Sequence, residues 1–168
     1  MSITHTLPSP PLVTDIDKLN HYIIVDCAHF EHKFYRELRK NQSIHSKSLF
    51  IDTPDEESAL AGPVLIALDP EQNKQFIQEI QEIEQEKPAV LWLWSQQNFN
   101  QLFSILQFIQ YGELNNGKKV ICRYYDPRCT EAILKMLTTD QDATQQLQKI
   151  TGWAYKQKDG QYKYITEI

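Results

Sequence analysis

The stretch Arg123-Tyr124-Tyr125-Asp126-Pro127-Arg128 lies between an apolar run and a segment with helical spacing. The apolar run, Lys119–Cys122, is rich in β-forming residues and predicts a buried strand over 119–125. Apolar residues at helical spacing after Arg128 predict a helix from Pro127 to about Thr138. Asp126 suits the N-cap of that helix, and Pro127 suits its first position, where a missing N–H costs nothing. The pattern therefore predicts a strand-to-helix corner that carries two arginines, two tyrosines and a carboxylate.

Outward from this corner, apolar runs alternate with segments of helical periodicity along most of the chain. Near the C-terminus, Asp159-Gly160 separates two segments rich in aromatic residues and predicts a β-hairpin. The order of elements predicts an α/β fold: a mixed sheet of about five to six strands flanked by helices, with a C-terminal β-hairpin. The predicted strands are 21–26, 48–51, 64–68, 89–94, 119–125 and the hairpin strands 151–156 and 161–165; the predicted helices are 29–40, 71–86, 98–111, 127–138 and a short one around Leu147.

The composition is that of an ordinary globular protein and sets bounds on compartment and partners. Of 168 residues, 41% are hydrophobic and 23% are charged, and the formal net charge is −5. No cluster of Lys and Arg offsets this acidity, which argues against nucleic-acid binding. Three cysteines at irregular spacing argue for a reducing compartment. Apolar runs too short for a bilayer, and a start without signal-peptide features, predict a cytoplasmic protein without a membrane partner.

The domain organisation is predicted to be simple. Pro8, Pro10 and Pro11 lie among small polar residues in a segment typical of a flexible N-terminal lead-in, residues 1–17. Residues 18–168 are predicted to form a single α/β domain.

Strand-end carboxylates suggest one enzymatic hypothesis. Asp26, Asp69 and Asp126 each follow an apolar run, and sites in open α/β sheets form outside the carboxyl ends of parallel strands. Three converging carboxylates would bind Mg²⁺ or Mn²⁺ in a metal-dependent hydrolase. Asp is equally an ordinary turn and cap residue, and no phosphate loop or nucleophile elbow accompanies the three. The residues alone therefore predict no catalytic, metal or cofactor site.

Two groups of residues that include a cysteine suggest further sites. Cys27, His29 and His32 are close in sequence, but their spacing matches no standard zinc pattern, so packing and surface roles are favoured. Cys129 adjoins a predicted helix start, yet no base near it in sequence would activate it as a nucleophile.

The terminal hairpin offers a protein-binding hypothesis. Trp153 and Tyr155 alternate on one face of its first strand, and Tyr162 and Tyr164 alternate on one face of the second. One row is expected to pack on the core, and the other, at an edge strand, would suit an extended peptide added by β-pairing. Cross-strand aromatic pairs that only stabilise the hairpin are the alternative.

The Arg123–Arg128 stretch, followed by an apolar helix and by Ile150-Thr151-Gly152-Trp153, resembles the core signature of the type VI secretion effector adaptors, also called effector chaperones (the Tap or TEC family). The resemblance covers roughly residues 20–157. It includes the strand at 21–26, Gly62-Pro63-Val64-Leu65 and Trp92-Leu93-Trp94. The Tyr-Asp-Pro-Arg element is its most specific part.

This resemblance implies a non-enzymatic bacterial adaptor that binds a secreted toxic effector and helps load it onto the VgrG spike protein. It assigns no catalytic residues and no cofactor. The signature residues, as a structural corner or as a contact surface, are Arg123, Tyr125, Asp126, Pro127, Arg128, Trp153 and Tyr155. Many family members carry a further helical C-terminal lobe, which this chain is expected to lack. A toxin-neutralising immunity protein is a further alternative, since it would share the small size and acidity.

Overall fold

The computed structural model describes residues 7–10, 19–166 and 168. The strands are β1 (Asn20–Asp26), β2 (Ser46–Ser48), β3 (Pro63–Leu68), β4 (Val90–Ser95), β5 (Tyr111–Glu113), β6 (Lys119–Ile121), β7 (Gly152–Lys156) and β8 (Tyr162–Ile165). The α-helices are α1 (Lys33–Leu38), α2 (Lys74–Glu86), α3 (Phe99–Gln110), α4 (Thr130–Leu137) and α5 (Gln141–Leu147). Short 3-10 turns occupy Cys27–His29 and Glu56–Ser58. Of the described helices, none is both long and apolar enough to cross a bilayer.

Six strands form one sheet in the order β2-β3-β1-β4-β7-β8, and β5 and β6 form a separate two-stranded ribbon. The predicted α/β class, the strand number and the C-terminal hairpin are confirmed. All five strand pairings in the six-stranded sheet are antiparallel, so the sheet is not of mixed direction. The central strand β1 pairs on both sides, with Ile23 opposite Ile66 of β3 and Trp92 of β4.

Helices cover both faces of the sheet, which explains why its central strands are apolar throughout. Helices α3, α4 and α5 pack on one face, where the core includes Ile24, Leu93 and Leu106. Helices α1 and α2 pack on the other, where the core includes Ile23 and Ile80. The alternation of Ile23 and Ile24 between the two cores follows from the two-residue period of a strand.

The prediction of a buried strand over 119–125 is wrong. Only Lys119–Ile121 is extended, with Lys119 and Ile121 exposed, and it pairs with β5 rather than with the large sheet. The chain reverses at Asn115-Asn116-Gly117 directly after α3 and β5, where Gly117 has φ +80°. Because this turn is local, the segment pairs with its own neighbour in sequence before it can reach a distant strand.

One other segment differs from the sequence prediction. The helix predicted over 29–40 is only α1, because Glu31 and His32 have φ of 48° and 64° and interrupt helical geometry. In the predicted lead-in, Pro8 is buried, and the backbone N–H of Ser9 donates to Tyr164 Oη at 3.1 Å. The remainder of residues 1–17 lies outside the described residues.

A methyl group at Gly62 would collide with a core aromatic ring. A Cβ built at Gly62 would lie 2.3 Å from Cδ2 of Phe50, whose side chain is buried beside β3. We expect Gly62→Ala to lower the free energy of unfolding by about 2 kcal/mol, because the ring must move within a packed core. Urea denaturation measures this loss in the free energy of unfolding. Gly160→Ala, where a Cβ would meet nothing within 4 Å but φ is +84°, is the control for backbone strain alone. Equal losses at both positions would contradict the packing explanation.

Candidate functional site

The Arg123–Arg128 stretch forms a tight corner between β6 and α4, at the end of the sheet where β1 finishes. The N–H of Asp126 donates to the Arg123 carbonyl at 3.1 Å, and the N–H of Cys129 donates to the Asp126 carbonyl at 2.8 Å. Helix α4 begins at Thr130 with Cys129 as its N-cap, and Cys129 makes no side-chain cap hydrogen bond. Helix α4 therefore begins three residues later than the predicted start at Pro127. Asp126 caps the turn that leads into the helix: its carboxylate accepts the N–H of Arg128 at 3.0 Å, and its carbonyl accepts the N–H of Thr130 at 2.9 Å.

Two buried carboxylates bind two half-exposed guanidinium groups at this corner. Arg128 makes a bidentate pair with Asp126, with Nε–Oδ1 at 2.9 Å and Nη2–Oδ2 at 2.7 Å. Arg123 Nη2 lies 3.1 Å from Asp26 Oδ2 and 3.5 Å from Asp126 Oδ2, so it bridges the end of β1 to the corner. The side chains of Asp26 and Asp126 are 2% and 3% exposed, whereas those of Arg123 and Arg128 are 49% and 57% exposed. We call these four residues the arginine clamp.

Electrostatics favour the ionised forms of Asp126 and Arg128. Burial raises the pKa of Asp126, but the hydrogen bonds from Arg128 and the charges of Arg128 and Arg123 outweigh burial, and the net pKa is lowered. The hydrogen bond and charge of Asp126 raise the pKa of Arg128 in turn. At neutral pH Asp126 is thus ionised beside the two guanidinium groups.

The two tyrosines of the Arg123–Arg128 stretch lie in the core rather than on the surface. Tyr124 is fully buried and its hydroxyl donates to the Leu106 carbonyl at 2.9 Å. Tyr125 is 4% exposed, and the Arg123 guanidinium carbon lies 6.0 Å from the centre of its ring. Burial raises the pKa of Tyr125, and the charge of Asp26 raises it further. The guanidinium groups are therefore the accessible part of the Arg123–Arg128 stretch.

Trp153 is also a core residue. It is 0% exposed on β7 and its ring meets that of Tyr124 edge to face, with centroids 6.0 Å apart. Its indole N–H finds no hydrogen-bond partner among the described residues. Trp153 therefore packs in the core against the Arg123–Arg128 corner and is not a surface residue.

A groove of about 630 Å³ opens beside the clamp. Its walls include Pro127 and Arg128 from the corner and the half-buried Tyr155 from β7. The hairpin and the α2–β4 junction add further basic side chains, Lys87, Lys156 and Lys158. Of the predicted signature residues, Pro127, Arg128 and Tyr155 therefore share one surface, which we call the clamp groove.

The three strand-end carboxylates do not converge. Asp26 pairs with Pro63 at one end of β3, and antiparallel pairing puts Asp69 beyond the other end, where Leu68 faces His21. Asp69 is exposed and accepts the N–H of Glu71 at 2.9 Å in a turn. Asp26 and Asp126 both contact Arg123, so their carboxylates bind arginine. Within the described ranges, no three His, Cys, Asp or Glu side chains are grouped to hold a metal ion.

A buried carboxyl group that sequence reasoning missed lies on the opposite face of the sheet. Glu84 on α2 is 8% exposed and accepts hydrogen bonds from Trp92 Nε1, at 2.9 Å, and from the Tyr162 hydroxyl. The helical spacing could have predicted that Glu84 faces the core, because Glu84 lies four residues after the buried Ile80. Burial raises the pKa of Glu84, opposed by both hydrogen bonds and the charge of Lys156.

The raised pKa of Glu84 predicts a specific pH dependence of the free energy of unfolding. A carboxyl group whose pKa is higher in the folded than in the unfolded protein stabilises the fold at low pH, and this contribution is lost as pH rises through the folded pKa. We expect Glu84→Gln, which cannot ionise, to gain stability relative to the unmodified protein as pH rises from about 4.5 towards 8. Urea midpoints across this range measure the difference. The exposed Glu86→Gln is the matched control, and parallel curves for the Glu84 variant and the unmodified protein would contradict the prediction.

Comparison with known proteins gives one match. A family whose description reads "Domain of unknown function (DUF4123)" matches residues 21–144, which include β1 through α4, the arginine clamp and the start of α5. No curated protein and no solved structure matches this chain.

Proposed function

Because the chain belongs to the DUF4123 family, we propose that it is a non-enzymatic adaptor that binds a type VI secretion effector in the bacterial cytoplasm and helps load it onto the VgrG spike. Two lines support the proposal. The family match lies within residues 20–157, the span over which the chain resembles the effector adaptors. The most specific element of that resemblance, Tyr125-Asp126-Pro127-Arg128, is the corner that carries the clamp.

The observation that carries the proposal is the arginine clamp. Arg123 and Arg128 are held on buried carboxylates yet about half of each side chain is exposed. A guanidinium has five N–H donors, and the bidentate pair of Arg128 uses only its Nε–Nη2 edge for Asp126. Since the side chain is already ordered, a partner acceptor would meet it at little further entropy cost. Arginine is also among the residues that dominate interface energy.

The clamp groove supplies the surrounding contact surface. It combines an ordered arginine with the ring of Tyr155 and three lysines, and these four basic side chains outnumber its two glutamates, Glu84 and Glu86. It therefore suits a partner segment that carries acidic or carbonyl acceptors. The aromatic row on β8 supports a peptide-binding role less well. The Tyr162 hydroxyl binds Glu84, and the ring of Tyr164 stacks on Trp94 with centroids 6.4 Å apart. We therefore place the effector or spike contact at the clamp groove.

The test is a pull-down from the native bacterium with the tagged protein as bait, read by mass spectrometry. We expect a VgrG protein or a large toxin to be recovered. Arg128→Ala is expected to reduce that recovery at least about tenfold, the size of effect typical of an interface arginine. Arg36→Ala removes an exposed arginine of α1 and is the matched control. Recovery of neither partner by intact, folded bait would overturn the adaptor function. Recovery unchanged by Arg128→Ala would move the contact away from the clamp.

A further inference from the structure

A second surface, distinct from the clamp, exposes apolar side chains in one place. Phe108, Leu114 and Met136 are 51%, 47% and 46% exposed, and they are three of the five large apolar side chains exposed in the described part of the chain. All three line one groove of about 830 Å³, between the end of α3, the β5–β6 ribbon and the α4–α5 junction. Grouped exposed apolar side chains mark interaction sites far more often than scattered ones do. We call this the ribbon groove.

Among the described residues, the charged side chains that line the ribbon groove are acidic, while Lys119, opposite Glu113 in the ribbon, lies outside the lining. Glu113, Asp140 and Asp142 line it, and none of the described residues that line it is Lys or Arg. Asp140 is fixed in place, because its carboxylate accepts the N–H of Ala143 at 2.7 Å and caps α5. Glu113 and Asp142 are exposed. The groove therefore has an apolar floor and an acidic rim.

The apolar side chains and the acidic rim of the ribbon groove indicate which kind of partner can bind there. A second copy of this chain would bring an acidic rim against an acidic rim in a two-fold contact, and the whole chain carries a net charge of −5. An anionic lipid surface would be repelled for the same reason. A protein segment with large apolar side chains and flanking positive charges would pack on the apolar side chains of the groove and pair with its acidic rim.

We propose that the ribbon groove is a docking site for a segment of another protein in which two or three large apolar side chains are flanked by Lys or Arg. The groove shares no residue with the arginine clamp, so this proposal stands independently of the adaptor function. The apolar anchors enter among Phe108, Leu114 and Met136. The flanking cations face Glu113 and Asp142.

The test measures fluorescence anisotropy of labelled synthetic peptides against the full chain. The probe is an amphipathic peptide of leucine and lysine; the comparison peptides replace lysine by glutamate or leucine by serine. We expect the leucine–lysine peptide to bind, and each comparison peptide to bind at least about tenfold more weakly, since each lacks one half of the recognition. Binding should also weaken as salt rises.

Variants locate the site. The double variant Leu114→Ser and Met136→Ser is expected to weaken binding of the leucine–lysine peptide at least about tenfold. The matched control is Ile121→Ser, which removes an exposed apolar side chain of β6 that does not line the groove. Thermal unfolding verifies that all variants stay folded.

Three outcomes would overturn the proposal. The first is no binding of the leucine–lysine peptide, or equal binding of its glutamate counterpart. The second is an equal effect of Ile121→Ser and the double variant. The third is a dimer seen by sedimentation that the double variant abolishes, which would assign the groove to a second copy of the chain. None of these outcomes bears on recovery of an effector or VgrG through the clamp, so the two proposals fail separately.

Discussion

Replacing Trp153 with alanine is expected to lower the free energy of unfolding by about 4 kcal/mol, the largest effect of any substitution considered for this chain. Trp153 is fully buried between the sheet and Tyr124, so truncation leaves a cavity beneath the corner. Chemical denaturation followed by far-ultraviolet circular dichroism measures the loss, and it avoids reliance on tryptophan fluorescence.

Trp153→Phe is the control for this prediction. Phenylalanine keeps most of the apolar volume and removes an indole N–H that has no partner among the described residues. We therefore expect a loss of only about 1 kcal/mol. If Trp153→Ala instead left stability unchanged but abolished partner recovery, Trp153 would be a contact residue and its assignment to packing would be wrong.

The second large effect is expected at Asp126. Its carboxylate accepts three hydrogen bonds from Arg128, two from the side chain and one from the backbone, and it lies 3.5 Å from Arg123. Asp126→Ala removes the acceptor of the Arg128 backbone N–H and the buried carboxylate that both guanidinium groups bind. We expect a loss of about 3 kcal/mol in the free energy of unfolding, measured by urea denaturation at neutral pH.

The pH dependence of this loss identifies its cause. The pKa of Asp126 is lowered in the folded protein, so its stabilising contribution is present above the unfolded pKa and is lost as pH falls through the folded pKa. The gap in stability between Asp126→Asn and the unmodified protein should therefore narrow on acidification below about pH 4. A gap that stays constant down to acidic pH would show that the carboxylate charge does not stabilise the corner.

These expected results divide the signature into two parts. Tyr125, Asp126 and Trp153 are buried and hold the corner, whereas Arg123 and Arg128 are half exposed and free to meet a partner on one edge. Variants of the first group should lower stability and function together. Arg128→Ala should lower partner recovery with a smaller change in stability, since its charge partner Asp126 keeps Arg123 nearby.

Much of the fold could be predicted because the relevant signals are local. The apolar runs at β1, β3 and β4 and the stripes of α2 and α3 reflect burial on both sheet faces and on one helix face. The Asp159-Gly160 turn predicted the terminal hairpin for the same reason. The prediction of a buried strand over 119–125 failed because apolar composition does not indicate which strand will be the partner. The partner that forms, β5, is closer in sequence than any strand of the large sheet that precedes it.

The candidate site was predictable in its residues but not in its geometry. The sequence pointed to Arg123, Asp126 and Arg128 together, since they lie within one stretch. It also grouped Asp26 with Asp69, which the antiparallel pairing of β1 and β3 separates to opposite ends of the sheet. Strand direction depends on connections between distant segments, and no single run of residues encodes it.

The sequence by itself determined the class of fold, the apolar face of each long helix and the chemical identity of the corner, because periodicity and turn chemistry act over a few residues. Only the tertiary structure decided which groups are buried together. It brought Asp26, 97 residues away in the chain, under Arg123, and it enclosed Glu84 between Trp92 and Tyr162. A buried charge is stable only where the fold supplies a partner across such a distance, so its position follows from packing rather than from local pattern.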